Sequence, residues 1–454
     1  MLVAVITALS IDQMHQQMQK ANLADAFEWR LDYLTHIDLK ELADLRSVIS
    51  KPVIFTLRRK EEGGKYTGSE EQRLQEIQRL CLLSPDFFDL EWDLPSEFIA
   101  EICQKTKVIG SYHNFIKTPD LEKIYAQMQN QHFQQIKIAT FAVSTLDQIS
   151  LLCFLKKHSH RKNLTCISMG EYGRSSRVLG KIYGNALHYA CIDQPLEKTG
   201  QMSLKELHEV YRFDTLNEKT EVYALLGDPI EQSIGHIWHN SYFQRKKINA
   251  VYIKLAVQKE ELEELFLQAA FLNIKGFSVT MPLKQAVLPF LRSSLSSCNT
   301  ITYDREYRGY NTDGIAVVEA LEERIDLAYK KVLVLGAGGS ARAIVPPLLE
   351  KKADVYVWAR SKSFALNCKH LISKKEILDL PYEVLIHTTP VGMSPLENES
   401  LLTKEMIHKC VVVDLVYRPK ETELLRLSRE NGCVCIDGEE IYARQAMLQQ
   451  EIWE

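Results

Sequence analysis

The sequence predicts an α/β protein in three parts: an N-terminal (β/α)8 barrel of the TIM type, a two-layer α/β domain, and a Rossmann sheet. Three observations predict it. Up to about residue 212, short apolar runs alternate with helix patterns through eight unbroken units. A polar stretch follows, and a second series of strands opens at residue 222. At 331–342 the run KVLVLGAGGSAR puts a doubly buried strand, a glycine turn and a helix start in immediate succession. At 454 residues the chain is also too long for one core. Its 46% hydrophobic and 25% charged residues are those of a globular protein, and its net charge of −4 gives no basic footprint for nucleic acid. No apolar run approaches a membrane span. The start MLVAVITALS lacks a basic region and reads as a first strand, not a signal peptide. Ten cysteines lie scattered with no CxxC, as expected of reduced thiols in a cytoplasmic protein, and no metal site is expected.

The barrel strands are expected at 2–8, 26–32, 52–58, 87–93, 107–113, 135–141, 163–169 and 188–194. The helix pattern at 69–83 is typical of the connections. Ser69 and Gln72 form a capping box, and Leu74, Ile77 and Leu80 mark one face. A doubly wound sheet is the alternative, but the first strand is followed by no glycine fingerprint. The strand ends, where a barrel carries its active site, are unusually polar. Glu28, Arg30 and Asp32 alternate on one face of strand two. Strand three ends at Arg58, with Glu61, Glu62, Gly63 and Gly64 beyond it. Asp89, Glu91 and Asp93 share a face of strand four, strand five ends in His113, and Lys137 lies inside strand six. Inward charges are costly unless paired, so this concentration points to a site. Lys137, between Ile136 and Ile138, is expected to be partly desolvated and close to other cations, which favours a neutral, nucleophilic amine. With a histidine nearby, this reads as imine chemistry on a ketone, with Arg30, Arg58 and Arg177 for its polar groups. A class I aldolase and an imine-forming dehydratase both fit.

The runs Glu28-Trp29-Arg30-Leu31-Asp32, Phe55-Thr56-Leu57-Arg58, Glu62-Gly63-Gly64, Ser111-Tyr112-His113, Lys137-Ile138-Ala139, Ile167-Ser168-Met169 and Ser176-Arg177 occur in that order. Residues 1–212 thereby resemble the type I 3-dehydroquinate dehydratases. The resemblance implies a covalent Schiff base on Lys137, with His113 as acid and base and Glu62 holding that histidine. It also implies that Glu28, Arg30 and Arg58 grip ring hydroxyls, that Arg177 binds the substrate carboxylate, and that Gln201 reaches in from the loop after strand eight. That loop departs from the family's Ala-Pro-Gly-Gln, reading Glu197-Lys198-Thr199-Gly200-Gln201.

Residues 213–221, FDTLNEKTE, read as a linker. Strands are expected at 222–230, 251–257 and 276–282, with a helix at 259–271, and ITYDREYRGYNTDG is hairpin-like. After the glycine turn come strand patterns at 354–360, 383–389, 410–417 and 433–438. With 331–335 they make a five-stranded Rossmann sheet, and a last helix from about 439 returns towards the catalytic layer. In the turn, Gly336, Ala337, Gly338, Gly339 and Ser340 are expected to cradle a pyrophosphate. About 20 residues on, where an NAD site carries a carboxylate, stand Arg360, Ser361 and Lys362, which suit the 2′-phosphate of NADP(H). Lys284 follows a strand end, and Asp313 opens a helix. A lysine–aspartate pair beside a nicotinamide can move the proton that accompanies a hydride.

Gly227-Asp228-Pro229-Ile230 with Ser233, Val279-Thr280-Met281-Pro282-Leu283-Lys284, Asn299-Thr300, Asn311-Thr312-Asp313-Gly314, Gly336-Ala337-Gly338-Gly339, Thr389-Pro390-Val391-Gly392-Met393 and Gln445 resemble the shikimate dehydrogenases over about 222–454. The resemblance implies Lys284 and Asp313 as the catalytic pair, Ser233, Thr280, Asn299, Tyr417 and Gln445 around the substrate, and Arg360 on the cofactor phosphate. Two positions depart from it. Gly235 stands where a second serine is usual, and His387 replaces an asparagine; both bear on affinity and on acceptance of a related acid such as quinate. The expected organisation is a barrel at 1–212, linker 213–221, substrate domain 222–325, NADP domain 326–438 and terminal helix 439–454. The expected function is dehydration of 3-dehydroquinate and NADPH-dependent reduction of its product, acting on small molecules with no nucleic acid or membrane partner. The rivals are a quinate/shikimate dehydrogenase fused to another Schiff-base lyase and an inactive regulatory homologue. Such a homologue would be expected to lose Lys137, His113 or Lys284, and the chain keeps all three.

Overall fold

The first strands alternate strictly between two environments, and a computed structural model of the chain, describing residues 1–193, 199–360 and 370–454, shows what each faces. The barrel strands are β1 (Leu2–Ile6), β2 (Ala26–Arg30), β3 (Val53–Thr56), β4 (Phe87–Glu91), β5 (Lys107–Asn114), β6 (Gln135–Phe141), β7 (Leu164–Met169) and β8 (His188–Ala190). They form one sheet in the order β7-β6-β5-β4-β3-β2-β1-β8, and each strand pairs with its neighbours in parallel. The ring is drawn together where Ala186 N–H, just before β8, donates to Leu164 O of β7 at 2.9 Å. Outward residues pack beneath the helices: Trp29 stacks on Phe55 at 5.2 Å, and Phe55 meets Phe88 edge-on at 6.2 Å. Inward, Val3, Ile54 and Ile109 belong to an apolar cluster. Further along the same faces stand Thr56 and Ser111, with Lys137 level with Ser111 on the next strand. The polar inward residues thus gather towards the C-terminal strand ends, where Val5, Ala139, Ile167 and Met169 also line the cavity. Five of the eight strands stop two to four residues short of their predicted ends, because Arg58, Asp93 and their neighbours leave the ladder to enter loops.

Residues 213–221 are not a purely solvated linker. Phe213–Thr215 forms a 3-10 turn, and Phe213 is buried with its ring 5.0 Å from that of His188. The chain divides into two compact units. One comprises Met1–Val222, His236–Val257 and Glu263–Ile274; the other comprises Tyr223–Gly235, Gln258–Leu262 and Lys275–Glu454.

The next strands are β9 (Glu221–Gly227), β10 (Ala250–Ala256), β11 (Ile274–Val279), β12 (Thr300–Asp304) and β13 (Glu306–Tyr310). They lie in the order β10-β9-β11-β12-β13, five strands where three were expected besides the hairpin-like segment. That segment supplies the other two, the antiparallel pair β12 and β13. The Rossmann sheet has six described strands, not five: β14 (Lys331–Leu335), β15 (Asp354–Trp358), β16 (His370–Ile372), β17 (Val384–His387), β18 (Val411–Asp414) and β19 (Val434–Ile436), ordered β16-β15-β14-β17-β18-β19. The extra strand, β16, is a three-residue edge strand with no apolar run to betray it. Val332 and Val334 face one core and Leu333 and Leu335 the other, so both faces are covered. The last helix, Gly438–Trp453, starts from an Asp437 cap and lies against β12, where Trp453 Nε1 donates to Ile301 O at 3.1 Å.

Candidate active sites

In the barrel, a cavity of about 500 Å³ is lined by Glu28, Arg30, Arg58, Glu62, His113, Lys137, Arg177 and Gln201, which are all the residues the sequence assigns to this site. Parallel register sets His113 two residues beyond Ser111, which is directly opposite Lys137, so imidazole and amine project from neighbouring strands on one face. His113 Nδ1 lies 2.9 Å from Glu62 Oε2, and Arg59 donates to the other Glu62 oxygen at 2.7 Å. A carboxylate on Nδ1 holds the proton there and leaves Nε2 as the basic nitrogen. Burial, aided by Arg58 and Lys137, outweighs Glu62 and lowers the His113 pKa to about 4, so the imidazole is neutral at pH 7. Burial works against the Glu62 anion, but the hydrogen bond and charge of His113, with Arg58 and Arg59, bring its pKa down to about 2. Glu62 can take this position because the chain turns sharply just after it. Gly63 is left-handed at φ 74°, and a Cβ on Gly64 would stand 1.9 Å from Arg58 O.

The sequence places Lys137 close to other cations, and Arg58 stands nearby, but an anion lies between the two. The Lys137 amine contacts Asp89 directly and lies 4.0 Å from Glu28, above the Tyr189 ring at 4.7 Å. The cation Arg58 sits on the other Asp89 oxygen at 2.5 Å. Asp89, seen in the sequence only as one of three acids on a strand face, is the bridge between the two. Its carboxyl is buried, which disfavours its charge, yet Arg58 and Lys137 hold its pKa far below the ordinary range. Glu91, one step further along, is occupied elsewhere: Arg73 donates to it at 2.8 Å and the Arg59 N–H at 3.1 Å. Arg30 forks onto Asp32 at 2.9 and 2.8 Å, and Thr56 Oγ1 donates to Glu28 at 2.8 Å. Arg177, second in the helix Ser176–Tyr183, donates to Thr199 O at 2.9 Å. Its Nε is buried without a partner among the described residues, and burial lowers its pKa to about 10. A desolvated guanidinium with spare donors suits an incoming carboxylate. Glu197 and Lys198 lie outside the described residues.

The second constellation forms where β11, β12 and the helix Asp313–Glu322 meet. Lys284 Nζ lies 2.5 Å from Asp313 Oδ2, and Asn299 Nδ2 donates to Asp313 Oδ1 at 2.7 Å. Asn299 also lies 3.4 Å from Gln445 Oε1 and accepts from Thr312 N–H at 2.9 Å. Ser233 is within hydrogen-bonding reach of the Tyr417 phenol. Thr280 follows the end of β11, where its N–H donates to Leu226 O at 2.9 Å. Sequence reasoning missed Thr312 and Gln449. Gln449 ties the last helix to this layer by donating to Asn299 O and Thr300 Oγ1 at 3.0 Å and accepting from Ser278 at 2.9 Å. Its spacing of four from Gln445, one helical turn, is the signal that could have found it.

The glycine turn suits a dinucleotide. Gly336 is left-handed at φ 116°, and a Cβ on Gly338 would meet nothing within 4 Å, which leaves open space at the N-terminus of the helix Gly339–Glu350. A Cβ on Gly339 would stand 3.4 Å from Lys284 Cδ, so the turn runs beside the lysine–aspartate pair. Ala337 and Ser340 flank these glycines. Arg360 is exposed two residues past β15, whose Trp358 O accepts from Gly336 N–H at 2.8 Å. Ser361 and Lys362 lie outside the described residues.

A lysine–histidine barrel cavity and a lysine–aspartate pair beside a dinucleotide turn define a two-site enzyme, a lyase joined to a nucleotide-dependent oxidoreductase. The family description for type I 3-dehydroquinase matches residues 2–218, and that for the shikimate dehydrogenase substrate binding domain matches 225–301. The chain is 34% identical to the chloroplastic bifunctional 3-dehydroquinate dehydratase/shikimate dehydrogenase of Arabidopsis thaliana, over all of this chain and 82% of that protein. It is 32% identical to the shikimate biosynthesis protein AroDE of Chlamydia muridarum, over all of this chain and 94% of that one. Among solved structures, shikimate dehydrogenase from Aquifex aeolicus matches 53% of this chain and 94% of its own at 31% identity, with a TM-score of 0.50. The chain belongs to the family of bifunctional 3-dehydroquinate dehydratase/shikimate dehydrogenases.

Proposed function

We propose that Lys137 forms an imine with the ketone of 3-dehydroquinate and that His113 moves the protons. The chain is a 3-dehydroquinate dehydratase and an NADP-dependent shikimate dehydrogenase of the shikimate pathway, the route to aromatic amino acids. The observation that carries the first half is the shared cavity of Lys137 and the His113–Glu62 pair. The amine attacks the carbonyl carbon, a C–N bond forms, and the carbonyl oxygen leaves as water. His113 Nε2 takes a proton from the adjacent carbon, and the electron pair enters the imine to give an enamine. The enamine expels the ring hydroxyl as His113 returns the proton, so a second water departs. One water then cleaves the imine, freeing 3-dehydroshikimate and Lys137, for a net loss of one water. Glu28, Arg30 and Arg58 hold ring hydroxyls, Arg177 the carboxylate, and Gln201 closes over the substrate.

In the second half, Ser233, Thr280, Asn299, Tyr417 and Gln445 orient 3-dehydroshikimate, and Lys284, aligned by Asp313, hands a proton to the ketone oxygen. NADPH, when bound on Gly336–Ser340 with its 2′-phosphate on Arg360, Ser361 and Lys362, supplies the hydride. The working boundaries are 1–212 for the dehydratase, 213–221 for the connection, 222–325 for the substrate domain, 326–438 for the NADP domain and 439–454 for the terminal helix. The setting is cytoplasmic, and no helix among the described residues is long and apolar enough to cross a membrane.

The test is one cuvette and one mass spectrum. 3-Dehydroquinate with NADPH should consume the nucleotide without any added enzyme. Borohydride with 3-dehydroquinate should leave a covalent adduct on Lys137 and none on Lys137→Ala. An adduct on another lysine, or none, sinks the imine assignment.

A further inference from the structure

His387, the residue that departs from the family asparagine, closes a buried relay at the glycine turn. Three strand ends lie side by side there: Leu335 of β14 is in register with His387 of β17, which is in register with Asp414 of β18. His387 and Asp414 are both buried. Asp414 Oδ1 lies 2.9 Å from His387 Nδ1 and accepts the Val416 N–H at 3.0 Å, while Oδ2 accepts from Thr422 Oγ1 at 2.6 Å. A buried carboxylate so completely satisfied is a rigid anchor. It holds a ring proton on Nδ1. Thr389 Oγ1 pairs with Nε2 at 2.6 Å and accepts the Val391 N–H at 3.3 Å. One hydrogen-bonded chain thus runs from Val391 through Thr389 and His387 to Asp414.

The far end of this relay forms the wall of the dinucleotide turn. A Cβ on Gly336 would stand 2.5 Å from Thr388 Oγ1 and 3.0 Å from Thr389 Cγ2. Thr388 is itself tied down, its N–H and its hydroxyl both donating to Leu335 O at 2.9 Å. We propose that His387 is a positioning residue for the cofactor site, holding the Thr388–Thr389 turn against Gly336 so that the loop is set before the dinucleotide binds. The inference rests on the reading that this turn binds NADPH.

The test uses the full chain, with NADPH binding followed by nucleotide fluorescence and reduction followed by absorbance. His387→Ala should raise the Kd and KM for NADPH about tenfold, the scale of one lost buried hydrogen bond. The KM for 3-dehydroshikimate and kcat at saturating NADPH should stay within twofold. Thr389→Val, of equal size, should reproduce the effect, and the double variant should be no worse than either single one, because both cut the same relay. His387→Gln, whose amide reaches the place of Nε2, should recover part of the affinity. Unchanged NADPH affinity in His387→Ala overturns the proposal, as does a loss confined to kcat or an additive double variant. If His387→Ala does not fold, Thr389→Val alone decides by the same criteria. If the unaltered chain takes up no NADPH, the cofactor reading fails and the inference falls with it; binding by the unaltered chain with no change in the variants overturns the inference alone.

Discussion

Asp89 holds Lys137 on one carboxylate oxygen and Arg58 on the other, inside a barrel where none of the three is appreciably exposed. The lysine proposed as nucleophile therefore rests on an anion that also fixes the arginine proposed to hold substrate. Asp89→Asn keeps the shape and removes the charge, leaving two buried cations short of a partner. It should destabilise the barrel by about 3–5 kcal/mol, the usual cost of breaking a buried pair. Urea unfolding of the full chain, followed by loss of dehydratase activity alongside intrinsic fluorescence, measures this; a change under about 1 kcal/mol would mean water already shares the site.

Acid should act on the dehydratase through His113. Its folded pKa of about 4 lies below the ordinary 6.5, so between these values the unfolded chain binds a proton that the folded chain does not. Stability therefore rises with pH across this window, and the His113 contribution is lost as pH falls from 6.5 to 4. Glu62, at about 2 against an ordinary 4.5, adds a loss of the same sign between 4.5 and 2. The acid limb of kcat/KM for dehydration should fall near pH 4 on account of His113. In Glu62→Gln it should move lower still, with a reduced kcat, because Glu62 raises the histidine's proton affinity. A limb unchanged in Glu62→Gln would exclude His113 as its source.

The two activities should separate by substitution. Lys284→Ala or Asp313→Asn should cut reduction by roughly 10²–10⁴, the range for a lost proton-transfer group. Both should leave dehydration within twofold, since neither residue lines the barrel cavity. Separate assays of each step decide this, and parallel loss of both activities would point to misfolding instead.

Arg360→Ala tests cofactor choice. Removal of a guanidinium from a phosphate should raise the KM for NADPH by about 10–100-fold, the worth of one charged hydrogen bond, and leave the KM for NADH unchanged. Equal effects on both nucleotides would show that Arg360 does not read the 2′-phosphate.

Much of this was legible in the chain itself. Alternation along β2 to β6 placed Glu28, Arg30, His113 and Lys137 on the inner face, because side chains on a strand alternate whatever the fold does next. The glycine turn was legible because only a few residues can let a backbone approach a pyrophosphate. The partner of Lys137 was not. Asp89, Glu91 and Asp93 share a face and look equivalent in the sequence. Register puts Lys137 level with Ser111 and Glu91, yet the amine reaches Asp89. That choice arises between residues 48 positions apart, where Arg73 and Arg59 have already taken Glu91.

The sequence by itself determined which elements form, which faces they bury and which chemical groups reach the strand ends, because these follow from local periodicity and turn chemistry. Only the tertiary structure decided who pairs with whom. It set Asp89 between Lys137 and Arg58, Gln449 on Asn299, His387 between Asp414 and Thr389, and β16 on its sheet edge. Such pairings depend on strand register and on competition for each buried charge, and both are set only when distant segments meet.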